Sequence, residues 1–99
     1  MTSEKQSELF NQVADNMLRT MKSKANDYAD SDVLSNFKKV AFITNTTPEQ
    51  VLLTLIATKT ARLGILLQGT KPNNESIEDS ILDLANYSVL LYMIRNDTI

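Results

Sequence analysis

Apolar residues along this chain recur at helical rather than strand spacing. Phe10, Val13, Met17 and Met21 stand three and four residues apart, the repeat of one helix face. Ser3 with Gln6 has the form of a capping box. A first helix is therefore expected over about residues 3 to 25. The polar stretch from Ala25 to Ser31, with Asn26, Asp27 and Asp30, favours a break. A short helix should follow, with Val33, Leu34, Phe37, Val40 and Ala41 inward, and then a loop from Ile43 to Thr46. Thr47-Pro48-Glu49-Gln50 is a strong start signal: a Thr cap, proline at the first helical position and an acid in the first turn. That helix should run to Gln68 and stop at Gly69. After a loop containing Pro72, Asn74 is placed to cap a last helix that starts with Glu75 and Glu78. The expected fold is all-α: a single domain over residues 1–99, a small helical bundle of about four helices.

The run Val89-Leu-Leu-Tyr-Met-Ile94 is apolar on every side, and such a helix must be covered all round. Four short elements have little to cover it with. The bundle is expected to be completed by homo-oligomerisation, with an interface that includes this helix.

Composition narrows the chemistry. The chain has 99 residues, 42% of them apolar, and a formal net charge of −2. That balance gives no basic surface for general nucleic-acid binding. With no cysteine and no histidine, disulfides, thiolate nucleophiles, Cys/His zinc sites and histidine-based triads are excluded. A general base would have to be a carboxylate, or less readily Lys or Tyr, and a metal would sit among oxygens, as Mg²⁺, Mn²⁺ or Ca²⁺ do. The N-terminus lacks a signal-peptide core, and uninterrupted apolar runs fall far short of the roughly 20 residues of a membrane span. The expected localisation is cytoplasmic, the host cytoplasm if the chain is phage-encoded.

Three constellations could carry chemistry. On a helix, Glu75, Asp79, Asp83 and Asn86 form one stripe, continued downstream by Leu90 and Met93. Carboxylates at this spacing can share one Mg²⁺; structural ion pairing is an equally weighted use. Lys59 and Arg62 share a stripe with Leu55 and Leu66. They would either pair with Asp79 and Asp83 or hold phosphate oxygens. The third is Lys22-Ser-Lys24-Ala-Asn26-Asp27-Tyr28 with Ser35-Asn36-Phe37. Rings that stack, an amide that reads an edge and a lysine for phosphate suit a nucleotide, although Lys-rich helix ends and Asx turns are common structural features.

These segments occur in the order Lys24-Ala-Asn26-Asp27-Tyr28, Asn36-Phe37, Lys59-Thr-Ala-Arg62-Leu63, and Glu75-Ser-Ile-Glu78-Asp79-Ser-Ile-Leu-Asp83-Leu-Ala-Asn86-Tyr87. In that order they resemble the small phage and prophage proteins called nucleotide modification associated domain, type 1. The resemblance covers roughly residues 17 to 95, and its last motif is the most specific. One departure is Ala29, where the family pattern has glycine. The resemblance implies an all-α domain tied to nucleotide metabolism in phage, with Lys24, Asn26, Asp27, Tyr28, Asn36, Phe37, Lys59, Arg62, Asn86 and Tyr87 toward the nucleotide. A more distant similarity is to the MazG-like all-α nucleoside triphosphate pyrophosphohydrolases. It implies Mg²⁺ at Glu75, Asp79 and Asp83, but Lys59 and Arg62 stand where that family has acids.

Three functions are thus expected to compete. One is a nucleotide-binding protein that sequesters nucleotides or nucleotide-derived immune signals, an anti-defence role. Another is a Mg²⁺-dependent pyrophosphohydrolase. The last is a non-catalytic structural or interaction protein whose polar seam fixes the bundle register.

Overall fold

The computed structural model describes residues 1–25, 32–69 and 76–97. The protein is all-α, with four helices among the described residues: α1 (Ser3–Ala25), α2 (Ser35–Thr44), α3 (Pro48–Leu67) and α4 (Ile77–Arg95). By compactness the chain divides into Met1–Val33 and Leu34–Ile99.

The first unit is α1. Its start differs from expectation: the Thr2 hydroxyl, not Ser3, accepts from the Lys5 N–H at 3.1 Å. Ser3 is the first helical residue, and a cap must precede the helix it closes. Met17 and Met21 are half-buried, while Phe10 is 71% exposed.

The second unit is built on three helices. Asn45, in the left-handed conformation at φ 57°, ends α2. Asparagine tolerates that region, and the Thr46 N–H returns to the Ala41 carbonyl at 2.9 Å, a Schellman-type closure. The helix therefore extends to Thr44, into the expected loop. Three residues later the Thr47 hydroxyl accepts from the Gln50 N–H at 3.2 Å, with Pro48 in the first turn of α3. α3 ends at Leu67 with Gln68 as its cap, and Gly69 follows at a φ of +98° that favours glycine.

The cap of α4 is Ser76, not Asn74. Ser76 Oγ accepts from the Asp79 N–H at 3.0 Å, and the Asp79 carboxylate accepts from the Ser76 N–H at 3.4 Å. This reciprocal box needs an acceptor three residues after the cap, and Asp79 supplies it for Ser76.

α3 and α4 run antiparallel, because Leu52 shares a cluster with Ile94 while Lys59 meets Asp83. The core gathers Leu34, Phe37, Leu52 and Ile94, with Val51, Leu55, Tyr87, Leu90 and Leu91 against it. Lys38 Nζ donates to Asp97 Oδ2 at 2.6 Å and ties α2 to the end of α4. Within the apolar run of α4, Ile94 is buried and Val89, Leu90 and Leu91 are half-buried, while Tyr92 and Met93 are exposed at 71% and 41%. Val33 and Val40, expected inward, are also exposed.

α3 departs from the expectation about span length. With 20 residues and a mean hydropathy of 1.4, it is long and apolar enough to cross a membrane. Threonine, alanine and glycine lengthen it without forming an unbroken run, and Lys59 and Arg62 interrupt it.

Candidate functional site

The core cluster occupies one end of the α3–α4 seam, the Lys59–Asp83 pair lies beyond it, and Leu66 is buried further along α3. Leu52, Lys59 and Leu66 stand seven residues apart on one line of α3. Leu52 is fully buried and Leu66 is 6% exposed. Lys59 therefore fills a slot where the pattern calls for a third leucine. Its ammonium meets Asp83 Oδ2 of α4 at 2.8 Å, with the lysine side chain 16% and the aspartate side chain 34% exposed. A lysine in such a seam buries its stem and needs an anion for its head, and Asp83 is placed to supply it. Arg62 lies one turn further along α3 and is exposed.

Two buried polar residues flank Asp83 on α4. Ser80, which sequence reasoning did not single out, is fully buried one turn before it. Its smallness, between Ile77 and Leu84, was the only available signal. Asn86, one turn after, is 8% exposed. Its Oδ1 is buried and has no hydrogen-bond partner among the described residues. Buried side-chain acceptors are nearly always paired, so this oxygen is the unusual atom of the seam.

The other expected residues distribute as follows. Asp79 is exposed and held in the cap of α4. Tyr87 is half-buried against the core, and Phe37, at 8% exposure, is a core residue; their rings pack against leucine and isoleucine rather than standing free to stack on a base. Asn36 is exposed in the first turn of α2, and Lys24 is exposed in the last turn of α1. Asn26, Asp27, Tyr28 and Glu75 lie outside the described residues. Among the described residues no three Asp or Glu side chains gather in a metal-holding group. Asp79 and Asp83, the described members of the acid row, are engaged with Ser76 and Lys59 respectively.

Comparison with family models, with curated proteins and with solved structures gives no match to this chain. The family resemblance therefore rests on the motifs alone.

Proposed function

We propose that this protein binds a nucleotide or nucleotide-derived small molecule at the polar part of the α3–α4 seam, without turning it over. The observation that carries this reading is the buried Asn86 Oδ1, without a hydrogen-bond partner among the described residues and one helical turn from the Asp83–Lys59 pair. A buried polar atom left unpaired costs about 1–3 kcal/mol. A nucleobase N–H or a sugar hydroxyl is the kind of donor it lacks. Arg62 offers a planar fork suited to phosphate oxygens, and Asp83 fixes the Lys59 ammonium beside it. Sequestration is the role that fits such a site, in line with the phage-protein resemblance.

Binding is favoured over Mg²⁺-dependent hydrolysis because of where the acids are spent. A catalytic metal would have to draw Asp79 from its helix cap and Asp83 from Lys59. The test is native mass spectrometry with mono-, di-, tri- and cyclic nucleotides, with and without Mg²⁺. An intact nucleotide retained at fixed stoichiometry is the expected result. A monophosphate formed from a triphosphate only with Mg²⁺ would replace this reading with pyrophosphohydrolysis. No retained mass and no product would contradict both.

A further inference from the structure

We propose that the outer face of α3 is the docking surface for a second copy of this chain, an inference independent of the nucleotide reading. Leu53, Ala57, Thr60, Gly64 and Leu67 recur at spacings of four, three, four and three, the repeat of a helix–helix seam. By helical geometry this line lies about a third of a turn from the inner line of Leu52, Lys59 and Leu66. All five residues are exposed, Leu53 at 50% and Leu67 at 65%.

Several features make this face fit for burial. Between Leu53 and Leu67 the line contains no charge. The hydroxyl of Thr60 donates to the Ile56 carbonyl on its own helix at 2.8 Å. That donor is already paired, so burial need not strip it of its hydrogen bond.

Gly64 is the most specific sign. A Cβ at this position would meet no atom within 4 Å among the described residues. Nothing described within the Leu34–Ile99 unit requires glycine there, although glycine is the poorest helix former after proline. Close approach of another backbone is what a missing side chain permits.

The sequence of the line selects a second copy over an unrelated partner. It is nearly palindromic about Thr60: Leu53 matches Leu67, and Ala57 matches Gly64. An antiparallel pair on a two-fold axis through Thr60 sets each large residue against a large one and each small residue against a small one. That is the self-complementarity an isologous interface requires. From Leu53 to Leu67 the face is about 21 Å long and about 10 Å wide, about 210 Å² in projection. Phe42 and Ile43, 88% and 80% exposed in the last turn of α2, are further exposed apolar area of the same unit, and a standard interface needs roughly 800 Å² per partner. Lipid is a poorer occupant, because Lys59 and Arg62 lie mid-helix.

Sedimentation of the full chain tests this. The expected mass is twice the 11.1 kDa of one chain, and Gly64→Leu should sediment as a monomer with unchanged helical circular dichroism. Should Gly64→Leu fail to fold, Leu53→Lys, at an exposed position, must give the same monomer. A wild-type monomer at the highest attainable concentration overturns the proposal. So does an assembly that keeps its wild-type mass in a folded Gly64→Leu or Leu53→Lys variant, or a monomer that co-sediments with phosphatidylcholine vesicles.

Discussion

Asn86 concentrates the functional question in one oxygen. If its burial serves the fold, removing the amide should cost stability; if it serves a ligand, removal should be tolerated. Leucine has the same branching as asparagine and is the better helix former. Asn86→Leu is expected to leave stability unchanged or raise it by about 1–2 kcal/mol, because a buried unpaired acceptor disappears. Urea denaturation measures this, and nucleotide affinity should fall at least about tenfold, the equivalent of ~1.4 kcal/mol. A clear loss of stability would return Asn86 to a structural role. Burial of this kind was not legible in the sequence. Helical spacing placed Asn86 on the Asp79–Asp83 stripe, but periodicity assigns a face and not a depth. The same limit applies to Phe37: its aromatic ring beside Asn36 suited base stacking, whereas its place one turn before Ala41 puts it in the core.

At the scale of elements, helix ends carry most of what the sequence made readable. Thr47-Pro48 and Gly69 bound α3 as expected because each residue answers a specific backbone need, an orphan N–H at one end and a positive φ at the other. The start of α4 was harder, because Asn74 and Ser76 are both good caps. Asp79, three residues after Ser76, decides between them. Thr47→Ala and Ser76→Ala should each lower stability by about 1 kcal/mol. The caps lie at the N-termini of two antiparallel helices, so the losses should add in the double variant. Chemical denaturation of the three variants checks this, and a negligible loss for Ser76→Ala would show that the box contributes little.

Across the whole molecule, the fold class was legible and the polar–apolar division of the seam was not. Lys59 reads from sequence as a cation among leucines, but its pairing with Asp83 rather than Asp79 depends on the antiparallel register of α3 and α4. The run Val89 to Ile94, apolar on every side in the sequence, shares its core cluster with Phe37 of α2 and Leu52 of α3, while Tyr92 and Met93 stay exposed. Exposed apolar side chains lie on α3 as well, at Leu53, Ile65 and Leu67.

The central claim is that the Lys59–Asp83 seam is kept for a ligand and not for the fold. Replacing a partly buried ion pair with apolar residues is often neutral or stabilising, whereas a ligand raises the melting temperature only where it binds. The direct measurement is thermal unfolding of wild type and Lys59→Leu/Asp83→Leu, at equal protein concentration, with and without the nucleotide that wild type retains. Wild type should melt higher with nucleotide, and the double variant should melt at least as high as unliganded wild type and show no response. A double variant that melts well below wild type, or responds equally to nucleotide, would contradict the account.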